Sequence, residues 1–174
     1  MTAFAFELVT PERVLWSGEA EAVSTRTEIG EITFLANHEQ FVGSLDITVL
    51  RIVPASGDRD DAAPAASRTG PAEREDHAEV RAAVHGGFVY VDDNKVVVAA
   101  GVAELGDEID VPRADRALEA AEAAVESEVD SDAVPTGTSD DGAGARPVGP
   151  KLTPAQSAVR RARVRLEAAG ESTS

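Results

Sequence analysis

Ile109-Asp110-Val111-Pro112-Arg113-Ala114 is the stretch whose residue types come nearest to a chemical site. It opens an alanine-rich run with helical spacing. A carboxylate at Asp110 suits the N-cap, where it accepts from backbone N–H groups that have no helical partner. Pro112 fits the first turn because no hydrogen bond is lost there. A simple helix start leaves Arg113 unexplained, since a cation in the first turn opposes the helix dipole. It would suit an anion held at the helix N-terminus, where free N–H groups already point outward. The helix-start reading of Asp110 and Pro112 holds in either case.

Other chemistries have less behind them. His77 lies in a polar stretch, His38 follows a turn-former at Asn37, and His85 precedes Gly86-Gly87. Their spacing matches no metal site. No serine sits in a G-x-S-x-G elbow, and the chain has no cysteine for a nucleophile, thiolate ligand or disulfide. Asp92-Asp93-Asn94 reads as a hairpin turn, because the spaced ligands and closing Glu of a calcium loop are missing. No phosphate-loop or dinucleotide glycine pattern occurs. No catalytic residue and no metal site is therefore assigned. Arg160, Arg161, Arg163 and Arg165 crowd one late helix. In a chain of net charge −16, such a cluster meets either the chain's own acids or an acidic partner.

The charge excess makes nucleic acid and anionic lipid poor partners. With 174 residues and 4% aromatics, one domain, or one with a small appendage, must pack mainly on Val and Ala. Lys occurs only at 95 and 151; low Lys with excess acid suits a high-salt habitat or a GC-rich genome. The N-terminus lacks a signal-peptide pattern. No run approaches the ~18 apolar residues of a membrane span. A cytoplasmic protein is the default expectation.

The elements that must position these residues are short strands, then two helices. Phe4, Phe6 and Leu8 alternate with Ala5 and Glu7. Ala20 and Ala22 start a second alternation, less clean beyond. Residues 31–35, after a turn at Gly30, and 47–53, 79–91 and 95–100 add further strands. Apolar parity slips between Val49 and Leu50, which predicts a bulge or a strand buried on both faces. Strands punctuated by turns argue for an antiparallel sandwich or barrel. Residues 54–77 and 127–150 are rich in acids, Pro, Gly and Ser, with too little apolar surface to offset chain entropy. They read as a mobile insertion between two strands and a flexible insertion between two helices. The first helix is expected over about 111–126, with Ala114, Ala117, Leu118, Ala121 and Val125 as its stripe. The second is expected over about 154–169, with Thr153 as N-cap, Pro154 in the first position and Gly170 at the end. Its stripe is Ala155, Val159, Ala162, Leu166 and Ala169. The expected organisation is a mainly β plus α chain: a β-sandwich domain over 1–106 and a two-helix C-terminal hairpin within 107–174.

This order of features resembles the epsilon subunit of the bacterial F-type ATP synthase. The likeness rests on "TPERVLWSGEAEAV", "GEITFLANH", "HGGFVYVDDNKVVVAAGVAE" and "IDVPRADRALEAAEAAV". The family's usual Gly is Thr33 here, Ala36-Asn37 replace Pro-Gly, and Ile47-Thr48 replace a second Pro-Gly. The resemblance implies a non-catalytic central-stalk subunit that couples rotation to ATP synthesis. It implies the gamma subunit, the c-subunit ring and the catalytic alpha/beta head as partners. It also implies a peripheral place at the cytoplasmic face of the inner or plasma membrane, through the complex alone. Glu31, Ile32 and His38 match interface-loop positions. Extended C-terminal helices inhibit ATP hydrolysis in the family, and Arg160, Arg161, Arg163 and Arg165 would then face the acidic head. No cofactor is required, but ATP enters as a regulatory ligand: Ile109, Asp110 and Arg113 match a family nucleotide motif, with Glu104 upstream. Ala120 stands where binders carry a further arginine, which should weaken such a site. The reading from another class is a free-standing β-sandwich module for a small ligand or anion. A hydrolase would need a nucleophile that the sequence does not show.

Overall fold

The structure, a computed structural model, describes residues 2–55, 79–130 and 152–170. Phe4, Phe6 and Leu8 turn inward on β1 (Phe4–Val9) and are essentially inaccessible. Phe6 lies against Trp16 of β2 (Val14–Thr27), ring centroids 5.3 Å apart. Then follow β3 (Gly30–Leu35), β4 (Phe41–Pro54), β5 (Val80–Asp92), β6 (Lys95–Ala100) and the short β7 (Ala103–Leu105). A 3-10 turn, Gly106–Glu108, leads to α1 (Val111–Asp130) and α2 (Pro154–Ala168).

Strand pairing runs β1-β6-β5-β4-β2 and returns from β2 to β1, so the sheet closes into a ring. β3 extends β2, and β7 pairs with β5. Every pairing is antiparallel except β1–β6, which is parallel. A closed ring with an odd number of strands cannot alternate direction throughout, so one parallel pair is a consequence of closure. The interior holds Phe4, Phe6, Phe34, Leu50 and Ile52, with valines at 23, 84, 89, 91, 96 and 98 and small alanines filling between. Valine and alanine thus pack around three of the few phenylalanines. Each large side chain so buried contributes roughly 1.5–3 kcal/mol.

One local reading is corrected, and one open alternative is decided. Ala20 is buried, but Ala22 is only half-buried, and Val23 takes the inward place. The β2–β4 register shifts between Ala20 and Ala22, and that irregularity resets the alternation. On β4 the slip at Val49–Leu50 is burial on both faces. The register with β5 runs through Val49↔Ala83 and Leu50↔Ala82 without a break. Leu50 and Ile52 face the ring interior, while Val49 joins a second cluster with Ala83, Ile109, Ala114, Val164, Leu166 and Ala168.

That second cluster explains the helices. α2 packs on β4 and β5, and α1 packs on α2. α2 therefore needs two buried sides. Val164 and Ala168 are buried beside the expected Ala155, Ala162 and Leu166. Its start is a capping box: Thr153 Oγ1 accepts from Gln156 N, and the Gln156 side chain accepts from Thr153 N. Pro154 follows at the first position, and Gly170 (φ +87°) lies beyond the end. On α1, Ala114 and Ala121 are buried and Leu118 and Val125 half-buried, but Ala117 is exposed. At ~100° per residue Ala117 and Leu118 lie about 50° to either side of the line through Ala114 and Ala121, and it is the Leu118 side that turns inward. α1 runs to Asp130, past the expected 126, so residues 127–130 are helix. Most of the insertion expected at 54–77 and the rest of that expected at 127–150 lie outside the described residues. The strands flanking the first do pair, Ile52 with Val80. The helical layer fits tightly on the sheet end: a Cβ on Gly106 would stand 2.3 Å from the Ala168 carbonyl oxygen. Among the described residues no helix is long and apolar enough to cross a membrane.

Candidate functional site

The motif at the start of α1 behaves first as a helix start. Asp110 Oδ1 accepts from Arg113 N at 3.0 Å, and the Asp110 carbonyl accepts from Ala114 N at 2.9 Å. Ile109 is buried in the helix–sheet cluster. Arg113 is exposed, and its guanidinium makes no hydrogen bond or ion pair among the described residues. Glu104, the upstream acid, is held elsewhere. Arg165 donates to its Oε1 from Nε at 3.0 Å and also from Nη2. No described bond links Glu104 to Asp110 or Arg113.

The arginines of α2 have found acids on their own chain. Arg160 meets Asp46 at 2.7 Å, Arg163 meets Glu122 of α1 at 2.9 Å, and Arg165 meets Glu104. Glu167 of the same helix meets Arg51 at 2.9 Å. Arg161 is half-buried beside His85, and no ion pair joins it to a described acid. The Arg160 and Arg165 pairs, about one-third exposed, are the least solvated of the set. The Arg163 pair, far more open, contributes little. Together these bonds hold α2 to β4, β7 and α1, so the basic cluster and its acids act as a clasp.

Of the expected interface residues, Glu31 is exposed on β3 opposite Arg26. Ile32 is half-buried against the main core. His38 is half-buried between the rings of Phe34 and Phe41, its Nδ1 2.8 Å from the Glu39 carbonyl. The Asn37 turn before it has φ +60°.

Sequence reading missed an apolar face. Val42 is 70% exposed, Phe88 63% and Tyr90 49%, too open for three large side chains on adjacent strands unless something covers them. Val42 is the register partner of Tyr90, Tyr90 of Val97, and Phe88 of Ala99, so they form one patch across β4, β5 and β6. Strict alternation from Ala82 and Val84 would put Phe88 and Tyr90 inside. Instead Gly86 (φ +84°) and Gly87 (φ +145°) reverse the strand's facing, and Val89 and Val91 turn inward. The glycine doublet was the one signal for this.

A cleft of about 320 Å³ lies between β2, β3, β4 and α2, lined by Arg26, Arg51, Arg160, Glu31 and Glu167 among others. Two of its three arginines are already paired, and no residue of the 109–114 motif lines it. It does not supply the anion site that a free-standing binding module would need.

The family described as "ATP synthase, Delta/Epsilon chain, beta-sandwich domain" matches residues 3–64. The ATP synthase epsilon chain of Streptomyces griseus is 39% identical over 115 residues, 66% of this chain and 77% of that one. That of Streptomyces avermitilis is 42% identical over 117 residues, 67% of this chain and 78% of that one. Among solved structures, a chain of the Euglena gracilis mitochondrial ATP synthase shares the fold. Its TM-score is 0.52 at 24% identity, covering 71% of this chain and 66% of that one.

Proposed function

The chain belongs to the ATP synthase epsilon-chain family, and from that premise we propose how its parts divide the work. It is a non-catalytic subunit of a membrane-associated rotary ATP synthase. The β-domain docks on the central stalk, against the gamma subunit and the c-subunit ring, at the cytoplasmic face of the membrane. The two C-terminal helices regulate the complex: clasped on the sheet they are inactive, and extended they restrain ATP hydrolysis by the alpha/beta head. The exposed Val42–Phe88–Tyr90 face carries this reading, because a contiguous exposed apolar patch outside a well-packed interior marks an interaction surface. Glu31, Ile32 and His38 supply the ring-side contacts. A Phe88→Asp, Tyr90→Asp double variant places two charges on that face without touching the core. It should fold with normal circular dichroism yet lose incorporation into the complex, read by co-purification with the gamma subunit. Normal incorporation would leave the face without this role.

The second part of the proposal concerns ATP, which would hold the helices in the clasped state. Arg113 supports it, as an exposed guanidinium in the first turn of α1 with no ion pair among the described residues. The ligand's phosphates would face Arg113, with Ile109, Asp110 and Glu104 around it. Ala120 in place of an arginine, and the overall charge of −16, set the affinity low. Calorimetric titration of the isolated chain with ATP should show binding that Arg113→Ala weakens at least several-fold. Binding that is absent, or unchanged by the substitution, reduces the motif to a helix start.

A further inference from the structure

His85 stands on the outer face of β5 where α2 crosses it. It shares that face with Ala83, which is buried under the helices, and its register partner on β4 is Ile47. The imidazole Nε2 is buried and has no hydrogen-bond partner among the described residues. The charged groups acting on it are Arg165 and Arg161 from α2 and Glu104 from β7. Glu104 is occupied by Arg165, and Asp46, next to Ile47 on β4, is occupied by Arg160. No free acid of this set is left to receive a proton-bearing ring.

We propose that His85 makes the clasping of the helices proton-sensitive: they close over a neutral imidazole and lift when that ring is charged. The inference rests on the reading of the helices as a movable regulatory element. A charged ring would carry a buried N–H with no acceptor, beside two guanidinium groups. Burial first, and then the two arginines, hold the pKa down to about 4 from an ordinary value of 6.5, with Glu104 opposing. The sign follows from linkage. Clasping is undiminished above the free-ring value of 6.5, weakens as pH falls below it, and stops responding below about 4. The closing equilibrium falls by at most about tenfold per pH unit in that window, because one proton is linked to opening. The lifted state is the one that restrains hydrolysis, so acidification would apply the brake.

The absence of cysteine allows clean labelling. Ser17→Cys on β2 and Ala123→Cys on α1, both exposed, would carry spin labels on the full-length chain. Distance distributions between pH 8 and pH 5 should show a lifted population that grows as pH falls. His85→Gln, which cannot take the charge, should flatten the response. Titration of the His85 ring by proton NMR should give a value well below that of an exposed histidine. A pH response that survives in His85→Gln, or a ring that titrates normally in the clasped state, overturns the proposal. An Arg160→Ala, Arg165→Ala variant at pH 8 separates the two layers of the argument. If it lifts while the unmodified arginine clasp ignores pH, only the His85 role fails. If the labels never separate, the movable element itself fails and His85 with it.

Discussion

Gly87→Ala is expected to destabilise the β-domain by roughly 2–5 kcal/mol, the sum of backbone strain and overpacking in a close-packed site. Gly87 has φ +145°, where an L side chain is strained. A Cβ there would lie 2.3 Å from the Ala99 carbonyl oxygen and 2.9 Å from Ala100 Cα. Those are backbone atoms of the paired strand β6, so no side-chain rotation relieves the clash. Relief requires parting β5 from β6 where the ring turns its corner. For a domain of this size the melting temperature should drop by about 10 °C or more, at ~4–8 °C per kcal/mol. Gly30→Ala is the internal control. Its φ is +134°, but nothing lies within 4 Å of the new Cβ. It carries the conformational cost alone, about 1–2 kcal/mol. Thermal melts by circular dichroism should separate the two variants clearly. Equal losses would mean that close packing at the corner contributes nothing.

The same corner shows why some features were legible in the sequence and others were not. Thr153 and Pro154 announce their helix because capping is a local bond, here completed by Gln156 three residues on. Asp110 does the same for α1. Asp93 and Asn94 tolerate positive φ, so the tight turn between β5 and β6 was readable from two residues. The β1–β6 pairing was not, because it joins residues about ninety apart whose side chains carry no mark of parallel neighbours. Val164 and Ala168 do not stand out because helical periodicity marks one stripe, and only the layered packing of sheet, α2 and α1 gives α2 two. The Val42–Phe88–Tyr90 face depends on a reversal at Gly86–Gly87 that alternation alone cannot signal. The arginine cluster was visible as a problem of charge, with own acids and partner acids both open. Which acids answer it is a matter of tertiary position: Asp46 is 114 residues from Arg160 along the chain, and Glu104 is 61 from Arg165.

A chain ending at Asp110 should still fold and join the complex, and hydrolysis by that complex should rise several-fold. Folding should survive because the main core is drawn wholly from the strands, from Phe4 through Leu105. The helices bury against the sheet chiefly Val49, Ala83 and Ile109, whose exposure is a small loss beside that core. Assembly should survive because the Phe88–Tyr90 face lies beyond the glycine corner from the helices. Hydrolysis should rise because extension of α2 exchanges one set of acids for another. In the proposed extended state Arg160, Arg163 and Arg165 would leave Asp46, Glu122 and Glu104 and would meet acidic surface on the catalytic head. Such an exchange is close to balanced, since charge-assisted bonds are lost and remade together. Two arrangements of one element then differ by only a few kcal/mol, and about 1.4 kcal/mol moves their ratio tenfold. Removing the element abolishes the restrained arrangement outright. Glu104→Gln, which frees Arg165 without deleting anything, should act in the opposite direction by favouring extension and lowering hydrolysis. ATPase rates of complexes with full-length, truncated and Glu104→Gln chains, compared at equal occupancy, give the answer. Unchanged hydrolysis after truncation would refute the inhibitory role and leave the clasp as a purely structural contact.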